Sequence, residues 1–166
     1  MPDAHHEFPL SRSDLQLLAQ IGFFAAQSGQ RGAAAALFSA LRVVRPEAVL
    51  PWIGLALADM GAGRAGEAAR FLRDEALRAH PADPELCTFL GLALIEAGHL
   101  AEARKVLQEL VDRECAAGNE AQPHVRMASR LLQSPPPGAG PAAARSTALV
   151  EIPRDPSASE STASPA

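Results

Sequence analysis

The sequence predicts an all-α fold of three tandem helical hairpins, closed by one more helix at the C-terminal end. Glycines recur in pairs seven apart, Gly22 with Gly29, Gly54 with Gly61 and Gly91 with Gly98, each pair inside an apolar stretch with helical spacing. A second pattern, Gly-x4-Ala, sets Ala34, Ala68 and Ala103 after Gly29, Gly63 and Gly98, so the alanines repeat after 34 and 35 residues. Phe38, Leu72 and Leu107 follow those alanines by four residues, and Leu41 and Leu110 come three further on. That is one face of a helix, on which a small alanine beside a large side chain lets two antiparallel helices interlock.

The elements follow in order. After a lead of residues 1–13, Ser13 with Gln16 three residues later has the form of a capping box and opens the first helix. The first hairpin spans about 14–46 and stops at Pro46. The second, about 47–81, is irregular: Pro51 sits near its start, Met60-Gly61-Ala62-Gly63 lengthens its turn by two residues, and Pro81 falls one place late. The third, about 84–118, begins at Asp83 as N-cap with Pro84 in the first helical position. Its second helix is expected to end between Asp112 and Gly118, and Glu120 to Gln133 to form the closing helix through Val125, Met127, Leu131 and Leu132. A stacked array needs such a cap, because the last hairpin otherwise leaves an apolar face in water. From Ser134 to Ala166 the chain turns to Pro, Ala, Ser and Gly and holds half of its 14 prolines, a composition too poor in large apolar residues to order itself.

Composition removes several function classes. A net charge of -4 in 166 residues provides no basic field for a phosphate backbone, so nucleic acid is not expected as a partner. The apolar runs Ile21 to Ala26 and Phe89 to Ile95 are far below the roughly 20 residues that span a bilayer. Residues 1–13 have neither the basic flank nor the apolar stretch of an export signal. Cys87 and Cys115 read as small buried hydrophobes of a reducing cytosol. No phosphate loop, nucleophile with a base, or His cluster at metal-ligand spacing is visible, and His80, His99 and His124 read as solvated turn residues. No cofactor, metal or catalytic residue is expected.

The tetratricopeptide pattern places Leu-Gly, Ala-x3-Phe and Pro at fixed offsets within 34 residues. Ile21-Gly22, Ala34, Phe38 and Pro46 match it, as do Leu90-Gly91, Gly98, Ala103 and Leu107, and Ile53-Gly54, Ala68 and Leu72 match it with the slip just noted. With Leu37-Phe38-Ser39-Ala40-Leu41 followed by Trp52-Ile53-Gly54-Leu55-Ala56, and with Ala40 to Pro46 at a helix end, the chain resembles the small tetratricopeptide chaperones of bacterial type III secretion over roughly Leu15 to Leu132. The absence of Tyr departs from the Tyr-rich groove of the translocator chaperones. The resemblance implies a short right-handed superhelix and a bacterial cytoplasmic chaperone. Its client would be a translocator, needle, rod or export-apparatus protein, and it would act as a possible homodimer or heterodimer. A general adaptor or scaffold outside secretion is the alternative.

In such an array the first helices line a concave groove. With Gly22, Gly54 and Gly91 taken as equivalent, the groove positions are Phe23, Ala26 and Gln27, then Leu55, Ala58 and Asp59, then Leu92, Ile95 and Glu96. This mostly apolar lining suits an amphipathic helix or an extended apolar segment of a client. Asp59 and Glu96 are the only titratable candidates for an enzymatic site there. The first helices show no Lys, Arg or Asn, so recognition of acidic C-termini is not expected. Arg42, Arg45, Arg70, Arg73 and Arg78 are expected on a solvated convex face, offset by Glu47, Glu67, Asp74 and Glu75.

Overall fold

The computed structural model describes residues 11–133; the expected N-terminal lead before Ser11 and the tail 134–166 lie outside the described residues. The described residues are all-helical, with no strand among them. The helices are α1 (Arg12–Gln27), α2 (Arg31–Val44), α3 (Leu50–Gly61), α4 (Ala65–Phe71), α5 (Leu77–Ala79), α6 (Pro84–Glu96), α7 (Leu100–Ala116) and α8 (Pro123–Gln133), with a π-helical turn, Leu72–Ala76, joining α4 to α5. Pairs α1/α2, α3/α4 and α6/α7 are the three hairpins, and α8 packs on α6 and α7 as the closing helix.

The caps sharpen two boundaries. The first helix starts at Arg12 rather than after Ser13, because Ser11 forms the capping box with Asp14. The Asp14 carboxylate accepts from the Ser11 backbone N–H at 2.9 Å, and the Asp14 N–H donates to the Ser11 hydroxyl at 3.2 Å. An anionic residue at this third helical position also meets the positive end of the helix dipole, which Gln16 cannot do. Asp83 caps α6 as expected, its carboxylate accepting from the Leu86 N–H at 2.9 Å with Pro84 in the first turn. The closing helix begins at Pro123 rather than at Glu120, since proline can open a helix but not continue one.

The irregular second hairpin resolves into two local events. Gly29, Gly63 and Gly98 all lie at positive φ just past the ends of α1, α3 and α6, so the turn of the second hairpin is not lengthened. What has moved is the packing position seven residues earlier: Gly22 and Gly91 stand there in the outer hairpins, and fully buried Ala56 stands there in the second. Gly54 serves a different contact, its Cα facing the Phe38 ring from the preceding hairpin while Gly22 faces the same ring from α1, 2.8 Å from where a Cβ would sit. Phe38 is thereby locked between two glycines and has no exposed surface.

The late Pro81 has an equally local cause. In the outer hairpins the buried residue seven places after the alanine is Leu41 or Leu110; in the second it is Ala76, eight places after Ala68. The extra residue is absorbed by the π turn, where the Leu77 N–H reaches back to the Leu72 carbonyl. Arg73, Asp74 and Glu75 of this turn are exposed. Deleting Asp74 is therefore expected to convert the π turn into regular α-helix and change stability by no more than about 1 kcal/mol, the scale of surface changes. A thermal melt checks this, and the same deletion in straight α7, at Glu109, is expected to be far more damaging because it rotates Leu110 out of the core.

One apolar stripe stays uncovered. On α1, Leu17, Ile21 and Phe24 are 56%, 47% and 69% exposed, at the end of the array opposite α8.

Candidate functional site

Adjoining clefts lie where α1, α3, α6 and α8 come together. One cleft of about 240 Å³ is lined by Phe23, Ala26 and Gln27 of α1, Leu57, Met60 and Gly61 of α3, and Leu92 and Glu96 of α6. A second, of about 280 Å³, joins it at Phe23 and Leu57 and continues over Leu50, Ile53, Thr88 and Phe89 to His124 and Met127 of α8. A third, of about 570 Å³, joins at Phe23 and Leu50 and runs along Leu15, Gln16, Ala19 and Gln20 of α1 to the end of α2. The surface is a continuous apolar strip with polar residues at its margins.

The expected positions fare unequally in geometry. Phe23, Ala26, Gln27, Leu92 and Glu96 line the first cleft. Leu55, Ala58 and Asp59 do not, because Ala56 rather than Gly54 is the equivalent of the outer glycines and the register of α3 is shifted by two residues. Leu57, Met60 and Gly61, two places further on, take their part. Leu55 and buried Ala58 pack instead with Ala25, Phe38 and Leu41 between α1 and α2. Asp59 turns toward the loops, where Arg31 and Arg64 pair with it, the latter at 3.3 Å. Ile95 is half-buried and faces the core around Leu107 and Leu110. The turn glycines, used as a ruler in place of the packing glycines, would have shown this shift.

The third-hairpin end of the strip is anchored by a polar corner. Glu114, on α7 and nearly buried, accepts from the Asn119 side-chain amide at 3.0 Å and from Arg113 Nε at 3.3 Å, and lies 3.7 Å from His124 Nε2. Arg113 also donates to the Ala82 carbonyl at 3.1 Å, holding a turn in which Ala82 has positive φ. The Asn119 hydrogen bond first, then Arg113 and His124, hold the Glu114 carboxyl below its ordinary value of 4.5. The folded pKa is below the unfolded one, so this stabilisation is present above pH 4.5 and is lost as pH falls through the lowered value. Acid titration followed by circular dichroism is expected to show α8 loosening in that range, and Glu114→Gln to remove that part of the pH dependence.

His124 is thus not a solvated turn residue: its side chain is 15% exposed and its Nε2 lies buried beside Glu114. His80 is likewise half-buried, edge-on to Trp52 at 5.9 Å between ring centroids. Cys87 and Cys115 are free, and burial raises the Cys87 thiol above its ordinary value. Among the described residues no group of three or more His, Cys, Asp or Glu is placed to hold a metal ion, and no helix is long and apolar enough to cross a membrane. The arginines also divide. Arg73 pairs with Glu102 of the next hairpin and Arg64 with Glu67, and Arg42 lies 4.6 Å from the Trp52 ring centroid. Arg45, expected on the convex face, lines the third cleft, and so does Arg12, which the early start of α1 brings onto a first helix.

Comparison with known proteins agrees with this architecture. The tetratricopeptide-repeat family profile matches residues 59–114. No curated protein matches the chain. The fold is similar to that of the Yersinia enterocolitica type III secretion translocator chaperone SycD, crystallised as an alternative dimer, at 22% identity and a TM-score of 0.56 over 75% of this chain and 93% of that one. It is similar to PcrH, solved with the chaperone-binding region of PopB, at 21% identity and a TM-score of 0.56 over 74% of this chain and 95% of that one. At this identity the likeness establishes the tetratricopeptide fold.

Proposed function

We propose that the protein is a bacterial cytoplasmic chaperone of type III secretion that keeps a client soluble by holding an apolar segment of it on the strip formed by α1, α3, α6 and α8. The observation that carries the reading is the strip itself: half-buried Phe23, Leu57, Phe89, Leu92 and Met127 and exposed Leu50 line adjoining clefts on one face. Concave, mostly apolar clefts with a few polar groups at the margin are the usual form of a binding site. That PcrH was solved with the chaperone-binding region of PopB supports a protein client, and that SycD is a translocator chaperone favours a translocator above needle, rod or export-apparatus proteins.

Co-expression with each small protein of the neighbouring secretion locus, followed by affinity capture, tests this. A stable stoichiometric complex with one of them is expected, and failure to capture any would leave the general adaptor as the better reading. The Leu17, Ile21 and Phe24 stripe offers a surface for self-association, as a dimer is recorded for SycD. Sedimentation equilibrium is expected to show a dimer that Phe24→Asp converts to monomer.

A further inference from the structure

The apolar strip is not electrically uniform along its length, and its first-hairpin end carries its own chemistry. The cleft between α1, the end of α2 and the start of α3 has an apolar floor of Leu15, Ala19, Phe23, Leu41, Ala48 and Leu50. Every polar side chain at its margin can donate: the guanidinium groups of Arg12 and Arg45 and the amides of Gln16 and Gln20. Among the described residues no carboxylate lines it. The acidic groups nearby are occupied or solvated. Asp14 is committed to the Ser11 cap, at 2.7 Å from the Ser11 hydroxyl, and Glu47 makes only a loose pair with Arg45 at 3.8 Å while 69% exposed. Arg12 stands in the first turn of α1, where the Asp14 carboxylate is held in the Ser11 cap. The formal charges on the other two clefts are Glu85 and Glu96, both on α6.

We infer that this third cleft reads acid: it takes an apolar side chain of the client segment with a carboxylate beside it, the carboxylate bridging Arg12 and Arg45 and the Gln16 and Gln20 amides meeting neighbouring backbone groups. The inference rests on the proposal that this face holds a client. A charge-assisted bond from a guanidinium to a carboxylate is directional and stronger than a neutral one, whereas a basic segment would meet like charge here. Because Arg12 and Arg45 are both exposed, the effect falls with salt.

The test uses the full chain and three short fluorescent peptides with identical leucine anchors, carrying aspartate, glutamine or lysine beside them, titrated by anisotropy at low and high salt. The aspartate peptide is expected to bind at least about tenfold more tightly than the lysine peptide, an advantage that shrinks in high salt and disappears or reverses in the Arg12→Glu/Arg45→Glu double variant. Arg12→Gln/Arg45→Gln, which removes charge with less risk to folding, is expected to bring the three peptides level, with circular dichroism unchanged. Equal binding of the aspartate and lysine peptides to the unaltered chain, an advantage that survives both double variants, or no binding by any of the three overturns the inference. Failure of the client-holding reading has a different signature, the absence of captured client with the unaltered chain, whatever the peptides do.

Discussion

Replacing Phe38 by alanine is expected to lower the free energy of unfolding by about 3–5 kcal/mol, the usual cost of deleting a fully buried aromatic side chain. That is a large part of the roughly 5–15 kcal/mol available to a domain. The cost should lie at the upper end because the cavity cannot close. The ring fills space that Gly22 on α1 and Gly54 on α3 leave on two sides, and neither glycine has a side chain with which to refill it. The reciprocal substitution, Gly54→Val, drives a branched side chain into the ring and is expected to cost at least about 1–3 kcal/mol despite valine's better helix propensity. Urea unfolding followed by circular dichroism measures both. A loss below about 1 kcal/mol for Phe38→Ala would mean that the first two hairpins are not joined through this ring.

The second large effect concerns register. Leu57→Asp sets a charge in the cleft beside Phe23 and Leu92 and is expected to cost at least about 2 kcal/mol of client binding, roughly thirtyfold or more, as for a desolvated interface anchor. Helical content should be retained, because Leu57 is half-buried at a surface. Leu55→Asp, two residues away, is expected to do the opposite. Leu55, equally half-buried, packs with the Phe38 and Leu41 cluster and lines no part of the cleft, so its carboxylate is expected to lower the melting temperature and leave client binding unchanged. Client titration of both variants beside thermal melts separates the two effects, and a swap of outcomes would return the groove to the packing-glycine register.

This pair of residues also shows what the sequence could reveal. The alanine period and the turn glycines were legible because Ala34, Ala68 and Ala103 are buried at the same place in every hairpin and Gly29, Gly63 and Gly98 take the same positive φ. Gly54 misled because it matches the outer glycines in residue type while facing the Phe38 ring of the preceding hairpin. Spacing of a residue type says that a close approach exists and is silent on which neighbour makes it. Pro81 one place late was visible as a misfit, yet an extra residue can be absorbed in a loop or a π turn, and only buried Ala76 decides for the turn. The Ser11 cap was hidden behind an equally plausible box at Ser13, and that two-residue difference carried Arg12 from the lead onto α1 and so onto the cleft. The Glu114 corner was beyond reach, because it joins α7 to α8 through side chains whose sequence spacing follows no motif.

On the proposed reading a client segment lies along the strip made by α1, α3, α6 and α8 in the shifted register. Photo-crosslinking in the co-expressed complex tests this most directly, with a benzophenone side chain placed in turn at Leu57, Phe89 and Met127, and at Asp59 and Val43 as positions turned away. Crosslinked client is expected from the first three and none from the last two. Capture through Asp59 or Val43, with Leu57, Phe89 and Met127 silent, would contradict it.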